Sequence, residues 1–153
     1  TTIIGSTGDD IIYGGIGDDQ LQGGEGNDTY RFASGDGIDH IDNSSLASEL
    51  DYDQIDLTDA GENQLWFSQN GNDLVIDFVG SSDQIIVDDW YVDEANKLDQ
   101  INTGNASLSQ QGIEQLVAAM AIFGAPQGGE LQLTEDQRIQ LDQTIAATWQ
   151  ART

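Results

Sequence analysis

The sequence predicts a mainly β fold: a short parallel β-roll of nonapeptide repeats, a small antiparallel β capping unit, and two C-terminal helices. Three observations predict it. Glycine and aspartate recur with a period of nine near the N-terminus. Short apolar runs separated by turn residues follow, and the last third of the chain sets apolar residues at helical spacing.

Composition narrows the function before any motif does. The chain has 153 residues and a formal net charge of −24, with 4 Lys and Arg against 28 acids, most of them Asp. Such a chain suits neither nucleic acid nor an anionic membrane, and its self-repulsion calls for a bound positive charge. Hydrophobic residues make up 37%, including 3 Trp, 4 Tyr and 4 Phe, which argues for a folded chain with a modest core. Cysteine is absent, so disulfides and thiolate metal sites are excluded. The opening Thr1-Thr2-Ile3-Ile4-Gly5 lacks the pattern of a secretory leader, and no run approaches transmembrane length, so an export address is expected elsewhere.

The repeats come first. Gly5–Tyr13, Gly14–Gln22 and Gly23–Arg31 align, with Gly at positions one and four, Asp at six and a large apolar residue at eight. A looser fourth copy, Ser34–Asp42, follows an inserted Phe32-Ala33. Glycine permits tight turns that aim carbonyl oxygens at a cation, and Asp adds charged oxygen; calcium takes about 6–8 such ligands. The candidate ligands in the first turn are therefore Gly5, Thr7, Gly8 and Asp10. The second offers Gly14, Ile16, Gly17 and Asp19, and the third Gly23, Glu25, Gly26 and Asp28. The fourth offers Asp36, Gly37 and Asp39. Each repeat gives one turn and one short strand, so two make a coil and turns of alternate repeats stack. Asp10 and Asp28 should flank one ion, and Asp19 and Asp39 another on the opposite side. Asp9, Asp18 and Asn27 at position five are weaker candidates with side chains expected in water. Ile3, Ile12, Leu21, Tyr30 and Ile41 should point inward. A flexible linker would not hold Asp and Ile in phase, collagen needs Gly every third residue, and no segment has EF-hand spacing.

The polar stretch 43–51 breaks the period, so boundaries are placed to give a roll over 1–42, a β-rich unit over 43–106 and a helical segment over 107–153. Strands are expected at Gln54–Leu57, Leu65–Ser68, Leu74–Phe78 and Gln84–Val87, with a further one near Leu98 and Ile101. Asn70-Gly71 should turn the central hairpin. Trp66, Trp90 and Tyr91 are expected in a small core rather than on a ligand platform, and Asp88-Asp89 as solvated turn carboxylates.

The nonapeptide pattern resembles the calcium-binding repeat of RTX proteins. Leu65-Trp66-Phe67, Gly71–Ile76 and Val87–Tyr91 are similar to the haemolysin-type region that follows such repeats. With Gln111–Ala121 they look most like the end of the adenylate cyclase–haemolysin toxins, over about residues 1–126. The resemblance implies Ca2+ as cofactor, type I secretion machinery as a partner, and calcium-induced folding outside the cell. Any membrane or receptor contact would lie in the rest of the parent protein.

Ser107–Gln110 reads as a helix start with Ile113, Leu116, Val117, Met120 and Phe123 on one face, stopped by Gly124-Ala125-Pro126. After a Gln127–Glu130 linker, Thr134–Gln137 forms a capping box, and Leu141, Ile145 and Trp149 form a second stripe. The resemblance makes this last region the export segment. No catalytic motif is present: there is no Cys, and the single His40 has no marked partner, so an enzyme is not expected and His40 reads as structural. The alternative function is an adhesion module whose β unit binds a ligand.

Overall fold

The structure, a computed structural model, describes residues 1–44, 51–123 and 133–151. The N-terminal part supplies β1 (Thr2–Ile4), β2 (Ile11–Tyr13), β3 (Gln20–Gln22), β4 (Thr29–Phe32) and β5 (Ile38–Ile41). Then come β6 (Gln54–Leu57), β7 (Leu65–Asn70), β8 (Asp73–Phe78), β9 (Gln84–Val87), β10 (Gln100–Asn102) and β11 (Ala106–Ser109). Two helices, α1 (Gln110–Ala121) and α2 (Glu135–Thr148), precede a last strand, β12 (Gln150–Ala151).

Each turn of the repeats carries the chain to the opposite sheet. Odd strands β1, β3 and β5 therefore pair in parallel, as do β2 and β4. The registers put Ile12 opposite Tyr30 and Leu21 opposite Ile41, so the position-eight side chains form one buried column, as expected. Their neighbours Ile11 and Tyr13 face outward, the period-two consequence of a strand.

The completed sheets have six strands each, in the orders β1-β3-β5-β9-β8-β7 and β12-β11-β10-β6-β4-β2. In both, four parallel strands run into two antiparallel ones. The fold is mainly β with two helices, but the sheets are mixed. The capping strands, expected from the sequence to be antiparallel, are so only in part: β6, β9 and β10 pair in parallel and complete the sheets that the repeats begin. A parallel stack ends on unpaired N–H and C=O groups, and β9 on β5 and β6 on β4 satisfy them directly. Of the polar stretch 43–51, residues 45–50 lie outside the described residues.

Two local readings change. The hairpin loop is Gly71-Asn72, between the paired Asn70 and Asp73; Gly71 takes the positive φ (62°) and Asn72 does not, as in a II′ turn. Ser107 and Leu108 belong to β11, and the helix starts after Ser109, whose hydroxyl accepts from Gly112 N–H at 3.1 Å. The capping box at Thr134 forms as expected. The stop at Gly124-Ala125-Pro126 and the 127–130 linker lie outside the described residues.

The α1 face of Ile113, Leu116 and Met120 is buried, and it covers edge strand β7, where Phe67 N–H donates to Met120 Sδ at 3.1 Å. Trp66 and Trp90 are core side chains, 1% and 0% exposed. Among the described residues no helix is long and apolar enough to cross a membrane.

Candidate calcium sites

The turns stack in two columns, one on each side of the sheets. On the first side, residues 23–28 lie on residues 5–10, so closely that a Cβ on Gly26 would come within 2.6 Å of Gly8 O. Asp10 N–H donates to Asp28 Oδ1 at 3.0 Å. On the second side, Gly17 N–H donates to Asp36 O at 2.8 Å and Asp19 N–H to Asp39 Oδ1 at 2.9 Å. The structure thus brings Asp10 beside Asp28 and Asp19 beside Asp39.

Glycine serves two separate ends in these turns. Positive φ falls at positions two and four, for example Gly24 (88°) and Gly26 (99°), rather than at position one. Position one is small for another reason. A Cβ on Gly14 would lie 2.7 Å from Asp19 Oδ2, and one on Gly23 would collide with the Asp28 carboxylate. The first glycine is the floor beneath its own repeat's aspartate.

The carboxylates are strained electrostatically. Asp19, Asp28 and Asp39 are buried, and Asp19 Oδ2 and Asp28 Oδ2 have no hydrogen-bond partner among the described residues. Burial, then the charges of Asp53, Asp10 and Asp9, pushes Asp28 up to about 6. Burial, with Asp19, Asp36 and Asp18, pushes Asp39 up to about 6 as well. Among the described residues, no cationic side chain pairs with either carboxylate. Among the described residues, no three His, Asp or Glu side chains converge on one point, so an ion here needs backbone carbonyls as well.

Two family models match this chain. The RTX calcium-binding nonapeptide repeat (4 copies) matches residues 1–30, and the haemolysin-type calcium binding protein related domain matches residues 73–105. Residues 1–30 carry RTX calcium-binding repeats. Their cofactor is Ca2+, and the site's chemistry fits it: buried carboxylate oxygens beside glycine turns, without a hydrogen-bond partner among the described residues, are hard oxygen donors. The position-three side chains Thr7, Ile16 and Glu25 are exposed.

Several side chains have other work. Both Asp10 oxygens accept from Ser6, whose N–H lies 2.6 Å from Oδ2. Asp36, in the degenerate fourth copy, spends its carboxylate on Ala33 N–H (2.8 Å) and Tyr13 OH (3.3 Å). That turn lies beyond the matched repeats. The position-five residues are exposed, as expected, and their side chains also accept backbone hydrogen bonds. Asp9 Oδ1 accepts from Asn27 N–H at 2.8 Å, Asn27 Oδ1 from Tyr52 N–H at 2.7 Å, and Asp18 Oδ1 from Ile38 N–H at 2.8 Å. They pin each turn to the next. His40 Nδ1 sits 2.8 Å from Asp88 Oδ1, so Asp88 is a paired strand-end carboxylate.

The aspartate column also runs further than the repeats. Asp28 N–H donates to Asp53 Oδ1 at 2.8 Å, and Asp53 N–H to Asp99 Oδ2 at 2.9 Å. On the other side Asp83 accepts from Gly35 N–H at 2.8 Å and Gly37 N–H at 3.2 Å. The signal for these three residues was a triplet: Asp53-Gln54-Ile55, Asp83-Gln84-Ile85 and Asp99-Gln100-Ile101 keep the spacing of Asp19-Gln20-Leu21.

Proposed function

We propose that this chain is the calcium-triggered folding module and C-terminal export region of a type I-secreted RTX protein, with no catalysis of its own. Its parallel coils act as a β-roll that Ca2+ closes outside the cell. The observation that carries this reading is the pair of buried oxygens, Asp19 Oδ2 and Asp28 Oδ2, that have no hydrogen-bond partner among the described residues. Leaving a carboxylate buried and unpaired is expensive, and a divalent ion offsets that cost only where calcium is plentiful. Extracellular calcium modules work at about 10⁻⁴–10⁻³ M, so the sites stay empty in a low-calcium cytosol. The match to RTX calcium-binding repeats supports the secreted setting.

Binding of the native state alone contributes RT ln(1 + [L]/Kd), about 2.7 kcal/mol at a hundredfold excess of calcium for one site. Circular dichroism should therefore show β structure in millimolar calcium and its loss in chelator. An unchanged spectrum after chelation would exclude calcium-triggered folding.

The adhesion reading keeps one observation. An open groove between the β7–β8 face and α1 is lined by Gln69, Asp77, Gln84, Glu114 and Tyr91, and the buried Tyr91 hydroxyl has no partner among the described residues. A ligand there would broaden the NMR signals of these residues selectively.

A further inference from the structure

Position eight of the repeats is a plain hydrocarbon in Ile12, Leu21 and Ile41, but in the third copy it is Tyr30, 0% exposed. Its hydroxyl crosses the core interior and accepts from Gly23 N–H at 2.9 Å. The same hydroxyl donates to Asn43 Oδ1 at 2.9 Å. Asn43 Nδ2 donates in turn to Asp53 Oδ2 at 3.0 Å, and Asp53 Oδ1 accepts from Asp28 N–H at 2.8 Å. Gly23 and Asp28 are the two ends of one candidate calcium turn. The bonds therefore form a closed circuit that leaves the turn at its first residue, passes through the core, and returns at its last.

We infer that Tyr30 is a positioning residue for calcium: through Gly23 and through Asn43 and Asp53, its hydroxyl fixes the 23–28 turn in the shape that aims its carbonyls at the ion. This rests on the calcium reading and adds a device to it. The circuit is one-sided. The equivalent strand residue behind the 14–19 turn is Leu21, which has no polar atom to offer. A rigid cage selects by ion size, because discrimination among hard cations depends on cavity size, ligand number and flexibility. The two columns of turns should accordingly differ, with the Tyr30 side the more selective.

The test is calorimetric titration of the full chain with Ca2+ and, separately, with the larger Sr2+. Tyr30→Phe removes one oxygen and leaves Gly23 N–H and Asn43 Oδ1 unpaired in the core. We expect Ca2+ affinity at one class of sites to fall about tenfold and the Ca2+/Sr2+ ratio at that class to shrink. Leu21→Val is the control: a loss of core packing lowers both affinities by a common factor and leaves the ratio unchanged. If Tyr30→Phe also lowers both by a common factor, or changes neither, Tyr30 is ordinary core and the inference fails. Should Tyr30→Phe not fold even at saturating calcium, Asn43→Ser breaks the same circuit at its far end, and its ratio decides. A wild-type chain that binds no calcium would instead overturn the underlying reading.

Discussion

Asp28 N–H donates to the carboxylate of Asp53 at 2.8 Å, just as Asp10 N–H donates to Asp28 at 3.0 Å. A column that starts in the glycine repeats thus continues into a segment that has lost their glycines. Asp53→Ala should raise the calcium concentration needed for folding, although Asp53 lies outside the matched repeats. It removes the acceptor of Asp28 N–H and one acceptor of Asn43, and each buried group left unpaired costs about 1–3 kcal/mol. Calcium titration followed by circular dichroism reads the midpoint; a wild-type midpoint would mean that the column ends at Asp28.

Acidity should act in opposite directions with and without calcium. Without an ion, burial holds Asp28 and Asp39 at about 6. An acid whose folded pKa is raised binds its proton more tightly when folded than when unfolded, where it titrates near 3.9. In chelator, stability is therefore gained as pH falls from 7 through about 6 towards 4, because protonation relieves the buried charge. In calcium the same protons compete with the ion, so affinity falls across that window and binding near pH 6 releases protons. Spectra in chelator and calorimetry in two buffers check both halves. Flat affinity between pH 7 and 5 would remove Asp28 and Asp39 from the ligand set.

Glycine at position one should be less replaceable than a glycine in open space whose φ is not positive. In Gly23→Ala the new methyl meets the Asp28 carboxylate and lies 2.7 Å from Tyr30 Oη. Overpacking of this kind typically costs about 1–3 kcal/mol, and here it displaces a candidate ligand as well. Gly104→Ala meets nothing within 4 Å and should be close to neutral. Equal calcium midpoints for the two variants would show that the floor beneath Asp28 has slack.

Trp66 lies on β7, outside the repeats, yet Trp66→Ala should weaken calcium binding. The side chain is 1% exposed, and truncating a buried aromatic costs about 3–5 kcal/mol. Its strand, β7, belongs to the same sheet as β1, β3 and β5, so the loss reaches the repeats through shared folding. Unchanged calcium affinity in this variant would make the repeats and the later strands independent units.

The nine-residue period was legible because glycine marks every turn, and position eight then had to be the buried column. The pairings of Asp10 with Asp28 and Asp19 with Asp39 followed from two repeats making a coil. After residue 43 the triplets Asp53-Gln54-Ile55 and Asp99-Gln100-Ile101 still announce an aspartate two residues before an inward side chain. The intervening segments differ in length, so no period connects them.

Only the strand pairing joins those triplets to the column, with Ile55 opposite both Tyr30 and Ile101. The same pairing sets Asp83 opposite Gly37 rather than Asp39, because Gln84 pairs with Ile38, two residues out of step with the repeats. No local signal marks β12 either; its two residues are a strand because β11 presents an edge to them. Turn chemistry and side-chain period act within a few residues and can be read along the chain. Register is decided by backbone groups far apart in sequence that find each other only once the sheets close.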